Sequence, residues 1–179
     1  NGSYVAHPFT TDVGTNGIYV RNSSYNRIDN VTLSNGEPYS IQGFSAHSLF
    51  IEGSVLHANG FSVLLNDTQN ATIYGNRATE GRISFDGSTG NNITLNNLTG
   101  SLGSINMFSN SHDSIISMNN LSVQIYVSAS NNINITGNLL IRTGFISLLG
   151  TNNALVSDNR GLFTLDLPSP AAVAVITSN

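Results

Sequence analysis

SASNNINITGN, residues Ser128–Asn138, reads as one short β-strand between two turns. Ile133 and Ile135 alternate with Asn132, Asn134 and Thr136, a period of two that puts both isoleucines on one face and the polar residues on the other. Ser and Asn lead in and Gly137 follows, residues whose backbones accept the tight conformations of a turn. The arrangement returns along the whole chain, in DNVTLSN (from Asp29), HSLFIEG (His47), QNATIYG (Gln69), NNITLNN (Asn91), DSIISMN (Asp113), NNALVSD (Asn152) and AAVAVIT (Ala171). These starts lie roughly 18 to 22 residues apart with no helical period between them, which is the spacing of coils in a β-solenoid.

A solenoid repeats at every strand, and a second row meets that test. The pairs Ile18/Val20, Tyr39/Ile41, Val63/Leu65, Ile83/Phe85, Ile105/Met107, Ile125/Val127, Ile146/Leu148 and Leu165/Leu167 recur with the same interval. Every inward position of both rows is apolar except Ser117. A weaker third row runs through Val55, Ala78, Leu98, Leu121, Leu139 and Leu162, giving three short strands per coil. About eight coils stacked about 4.8 Å apart make a rod on the order of 35 to 40 Å long. Residues 1–16 read as a lead-in or cap and 17–179 as the solenoid. A chain that opens on Asn1 without methionine is expected to be a processed product or a fragment.

Composition narrows the setting. Among 179 residues there is no cysteine, so no disulfide scaffold, and the dense apolar rows exclude disorder. Six arginines, with no lysine, are scattered along a chain of net charge −4, so no basic stripe awaits a nucleic acid. No apolar run approaches the roughly 18 residues of a membrane-inserted helix. Asparagine fills the turns, and Asn91, Asn97, Asn119, Asn131 and Asn152 are expected to stack into ladders. Matches to the glycosylation sequon, such as those at Asn70, Asn92 and Asn134, follow from the same alternation of polar and apolar positions.

These rows resemble the right-handed parallel β-helix of pectin-lyase-like polysaccharide lyases, glycoside hydrolases and phage tailspikes. SASNNINITGN and LGTNNALVSDN (Leu149–Asn159) are similar to the carbohydrate-binding and sugar-hydrolase repeat, and the resemblance covers about residues 17 to 176. It implies an all-β fold, a right-handed single-stranded parallel β-helix of about eight coils. It further implies a polysaccharide or cell-surface glycan lying along one sheet and an extracellular or virion setting. The tailspike members imply a homotrimer.

The chain departs from the enzymes of that group: it has no Asp-Asp pair, no Asn-x-Asp motif, no lysine base and no clustered carboxylates. Glycoside cleavage still needs only two carboxyl groups, about 5 to 9.5 Å apart. Asp86, outward at the end of a first-sheet strand, is the best acid, and Glu80 in the preceding turn could be its partner. Arg82, Asn66 and Asn106 surround Asp86 as sugar-binding candidates, and Tyr19, Phe108 and Tyr126 offer rings on which sugars stack. The plain alternative is a surface Arg82–Asp86 ion pair, with rings that pack against a neighbouring chain. Outward Phe50, Ile116 and Leu155 on the second sheet suit a contact between copies. His47, His57 and His112 do not converge, so neither a metal nor any other cofactor is expected. The expected function is carbohydrate recognition, as in a tailspike-like receptor-binding fragment. A polysaccharide-degrading enzyme using Asp86 and Glu80, and a structural shaft or adhesin segment, are the alternatives.

Overall fold

A computed structural model describes residues 4–12, 16–36, 38–58, 60–166 and 174–177. The described strands stack in parallel, each pairing with its counterpart one coil on. Three faces result. The first sheet holds Asn16–Arg21, Tyr39–Phe44, Phe61–Asn66, Arg82–Asp86, Ser104–Phe108 and Gln124–Ser128, and then the later parts of Leu139–Leu149 and Arg160–Asp166. The second runs from the start of Arg27–Gly36 through Phe50–Glu52, Thr72–Tyr74, Asn92–Thr94, Ser114–Ser117, Ile133–Thr136 and Ala154–Ser157 to Ala174–Thr177. The third includes Val55–Ala58, Arg77–Thr79, Asn97–Thr99 and Asn120–Leu121.

Inward residues stack on their own kind. On the second sheet Ile28, Ile51, Ile73, Ile93, Ile116, Ile135 and Val156 are in register and fully buried. Ile41, Val63, Ile83, Ile105, Ile125 and Ile146 form the matching ladder of the first sheet. Each buried aliphatic side chain is worth roughly 1.5 to 3 kcal/mol, which a lone coil would lose to the entropy of its own ordering. Neighbouring coils therefore stabilise one another. The chain passes so close to itself at the corners that Gly144 has no substitute: a Cβ there would lie 1.9 Å from the Val123 carbonyl oxygen.

Buried polar ladders run beside the apolar ones. At the corner between second and third sheets Asn76, Asn96, Asn119, Asn138 and Asn159 stack with almost no exposure. Each Oδ1 accepts the backbone N–H of the residue one coil earlier, from Asn76 to Asn96 through Asn138 to Asn159, at 2.9 to 3.0 Å. Each Nδ2 donates to an isoleucine carbonyl of the second sheet, Asn119 to Ile93 at 2.9 Å and Asn138 to Ile116 at 2.9 Å. At the other corner the N–H groups of Thr68, Ser88 and Ser111 donate to the hydroxyls of Ser88, Ser111 and Ser130. Turn backbone that hydrogen-bonds nowhere else is satisfied in this way.

Several expectations change. Ile93 pairs with Ile73 and Ile116, not Ile115, faces the core, so Ile115 is outward and the apolar outward row reads Phe50, Ile115, Leu155. Leu95 is not inward: it turns the corner at φ 58° and is exposed, as does Met118 at φ 52°. Val31 belongs to the corner and Leu33 to the third sheet, with Ile28 taking the second-sheet place. On the first sheet the pair is Ile41/Gly43, not Tyr39/Ile41. The third ladder is Leu33, Leu56, Ala78, Leu98, Leu121 and Leu140, then Gly161, so Val55 and Leu139 are not its members, and the Leu162 side chain lies outside what is described. Asn131 and Asn152 do bond through their side chains, whereas Asn97 Oδ1 has no partner. The segment expected as a lead-in carries a strand, Tyr4–Asp12, paired with Arg27–Gly36. Leu167 and Val173 lie outside the described residues.

Candidate functional site

Residues pointing out of a sheet are normally its most exposed, yet on the first sheet several are not. Ser84 alternates with core residues Ile83 and Phe85, so it points outward, and it is 1% exposed. The same holds for Ser104, Asn106 and Ser147, at 4%, 3% and 3%. Small polar groups are hidden on an outer face only when larger neighbours rise on both sides. Along one edge Tyr39 and Phe61 lie with ring centroids 5.5 Å apart, and the Arg82 guanidinium sits 5.2 Å from the Phe61 centroid. Towards the other edge Phe108 and Tyr126 meet at 5.6 Å. Ser84, Asn106, Tyr126 and Ser147 thus form one outward row, flanked by Phe61 and Arg82 on one side and by Asn66, Asp86 and Phe108 on the other.

Of the sequence-selected residues, six gather here across four consecutive coils. Asp86 is exposed at the end of its strand, beside Asn66 in the preceding coil and Phe108 in the next. Asn106 pairs with Ser84 and Tyr126, not with Asp86, and its Oδ1 accepts the Gln124 side-chain amide at 3.2 Å. Arg82 and Asp86 form no ion pair: four residues of extended strand hold them about 13 Å apart. Among the described residues the salt bridges are those of Arg27, with Asp29 at 3.8 Å and with Glu52. Tyr19 is exposed three coils before Asn106's neighbour Ser84, apart from these six.

Glu80 is not a partner for Asp86. It occupies the corner before the strand at φ 58°, on the order of 15 to 20 Å from Asp86 along the chain, well beyond either glycosidase spacing. Its Oε2 accepts the Ser101 hydroxyl at 2.5 Å and the Ser101 N–H at 3.0 Å. Those two bonds, the hydroxyl first, hold its carboxyl below the ordinary 4.5, with the Arg142 charge adding to them. A depressed folded pKa stabilises the fold above the unfolded value, and that stabilisation is lost as pH falls through the folded one. Glu80→Gln should therefore melt slightly below the parent at pH 7, the gap closing as pH drops from 4.5 through the folded pKa. Thermal melts across that range check this.

Four groups were missed in sequence. Phe61 and Tyr39 are the first residues of their strands, each ahead of two successive buried residues, so strict alternation misplaces them. Asp67 follows Asn66 at an exposed corner, where its N–H donates to the Asp86 carbonyl at 2.9 Å and its carboxylate lies against Gly87. Ser84 was legible as outward but not as buried. His57 lies in a third-sheet strand with its Nδ1 2.5 Å from Thr79 Oγ1, and His112 serves a corner, its Nδ1 accepting the Asn131 N–H at 2.8 Å.

A family model described as "Right handed beta helix region" matches residues 16–160. The chain belongs to this family. Its solenoid is therefore a right-handed parallel β-helix. Among solved structures, this β-helix is similar to a DFA-IIIase from Arthrobacter chlorophenolicus A6 crystallised without its lid, with TM-score 0.79 and 16% identity over 90% of this chain and 50% of that one. It is also similar to the same enzyme in complex with GF2, with TM-score 0.71 and 16% identity over 84% and 43%. The chain thus spans about half the length of these structures, and at this identity the likeness is one of fold. No curated protein sequence matches it. No described helix is long and apolar enough to cross a membrane.

Proposed function

We propose that this β-helix engages a glycan along the outer face of its first sheet. One observation carries the reading: that face sets the ring pair Phe108–Tyr126 beside the amides of Asn106 and Gln124. Sugars match such a surface, stacking their C–H faces on rings while hydroxyls meet amides and hydroxyls below. Phe108 and Tyr126 would stack against the sugar, and Asn66, Asn106 and Gln124 would read its hydroxyls. An extracellular setting goes with a glycan ligand. The tailspike-like version adds a virion setting and a homotrimer, supported by the outward apolar side chains Phe50, Ile115 and Leu155 on the second sheet.

The polysaccharide-degrading version has a specific observation on its side. Asp86 and Asp67 are both exposed and are joined by a main-chain hydrogen bond across one coil step, which makes Asp67 the candidate second carboxylate in place of Glu80. The shared fold with DFA-IIIase, named as an enzyme, supports it further. A glycan array with a reducing-end assay on every hit decides between the versions. Binding is expected to weaken about two- to tenfold in Phe108→Ala and Tyr126→Ala, since each lost aromatic contact is worth about 0.5 to 1.5 kcal/mol. New reducing ends abolished by Asp86→Asn would establish the enzyme, and their absence would leave a binding domain. An array with no hits would overturn the glycan reading altogether.

A further inference from the structure

Leu95 and Met118 each carry two costs that a single chain does not recover. Both hold left-handed backbone, φ 58° and 52°, at a corner where Gly53, Gly75 and Gly137 stand in other coils. That conformation is strained for a branched or long apolar side chain, which has no local hydrogen bond to offer in return. Both side chains are also exposed, at 46% and 56%. They sit in adjacent coils as a ridge, with Met118 Cγ 3.5 Å from where a Cβ on Gly137 would stand. The ridge borders an uncharged face. The second-sheet strands Thr72–Tyr74, Asn92–Thr94, Ser114–Ser117, Ile133–Thr136 and Ala154–Ser157 contain no Asp, Glu, Lys or Arg. Their hydroxyls turn to one another, Thr94 to Ser117 at 3.0 Å and Thr136 to Ser157 at 2.9 Å. Beside the ridge the face exposes Phe50, Tyr74, Ile115 and Leu155.

We propose that this face binds the same face of a second copy, pairing two chains about a two-fold axis. Six apolar side chains of about 200 Å² each, close to half exposed, offer roughly 500 Å², as much as the largest patch on a typical monomer. The Thr and Asn side chains among them bring the face towards the roughly 800 Å² per partner of a standard interface. A charged partner would find no counter-charge here, whereas an identical face meets it without desolvating any charge. Contact around a three-fold axis joins two different surfaces of each copy, and a two-fold contact joins one surface to itself. One self-matching face therefore points to two copies. The first sheet lies on another side of the coil, so each copy keeps its own outer face free for a glycan.

Light scattering on the chain across about 1 to 100 μM tests this, since the mass should climb to twice that of the chain as concentration rises. Salt should scarcely change the dissociation constant, because no charges meet. Leu95→Gly combined with Met118→Gly should raise that constant about tenfold or more. The dilute monomer of this variant should melt within about 3 °C of the parent, because glycine takes the left-handed corner without strain. Ile115→Asp sets a charge in the middle of the face and should abolish pairing. A monomer at every concentration overturns the proposal, as does a dimer that both the glycine pair and a folded Ile115→Asp leave intact. A mass of three chains overturns it as well and supports the tailspike-like version. The parent's mass decides even if a variant fails to fold, and none of these outcomes bears on the glycan array.

Discussion

Replacing Asn119 with alanine is expected to destabilise the fold by about 3 to 5 kcal/mol, a large share of the roughly 5 to 15 kcal/mol that holds a domain together. The size follows from what one amide does. Asn119 Oδ1 accepts both the backbone N–H and the Nδ2 of Asn96, and its Nδ2 donates to the Ile93 carbonyl and to Asn138 Oδ1. Truncation strands the Asn96 N–H and takes one bond each from Asn96 Nδ2, Asn138 Oδ1 and the Ile93 carbonyl, inside a corner that water does not reach, Asn119 itself being 1% exposed. Each stranded buried group costs about 1 to 3 kcal/mol before relaxation. Asn97→Ala is the control: its Oδ1 already lacks a partner, so its loss should change stability by under about 0.5 kcal/mol. Urea unfolding of the two variants gives the comparison directly. Equal midpoints would mean that the ladder contributes nothing beyond its shape.

Phe85→Ala should cost about as much, 3 to 5 kcal/mol, by a different route. Phe85 heads the fully buried side chains in size and packs in register between Leu65 and Met107. Removing the ring leaves a cavity that a solenoid closes poorly, because inter-strand hydrogen bonds fix the coil spacing. Met107 is the neighbour best able to lean in, so the cost should rise further when Met107→Val is added. Phe85→Leu keeps most of the volume and should lose about 1 kcal/mol. Differential unfolding of the three variants reads cavity size against stability.

The rods of isoleucine were legible because alternation within a strand and recurrence between strands point to the same positions. Failures cluster where one of the two gives out. Ile115 and Ile116 are adjacent and equally apolar, so alternation alone cannot say which faces inward, and the choice of Ile115 forced Ser117 into the core row. Leu95 looks inward by pattern but sits where other coils place Gly53, Gly75 and Gly137, in a left-handed corner that turns it out. The asparagine ladder was half seen. Turn asparagines signal a need for unusual backbone, and only the coil-to-coil register shows that Asn76, Asn96, Asn138 and Asn159 are buried while Asn97 lies outside their line. On the outer face of the first sheet, facing was readable and depth was not. Ser84 is 1% exposed between its in-register neighbours Leu64 and Asn106, neither of which is near it in sequence. Glu80 failed for a matter of direction: the corner aims its carboxylate at Ser101 in the next coil and away from Asp86.

The asparagine ladder also bears on how the chain reaches this state. Its bonds join residues only 19 to 26 positions apart, as Asn119 with Asn138 and Asn119 with Ile93 do. No closure in the ladder waits for the distant end of the chain. The rate-limiting event is then the first apposition of two coils anywhere along the rod, after which each further coil closes one loop of about 20 residues at nearly constant entropic cost. Assembly should proceed as a zipper, able to start at either end and indifferent to how many coils have already docked.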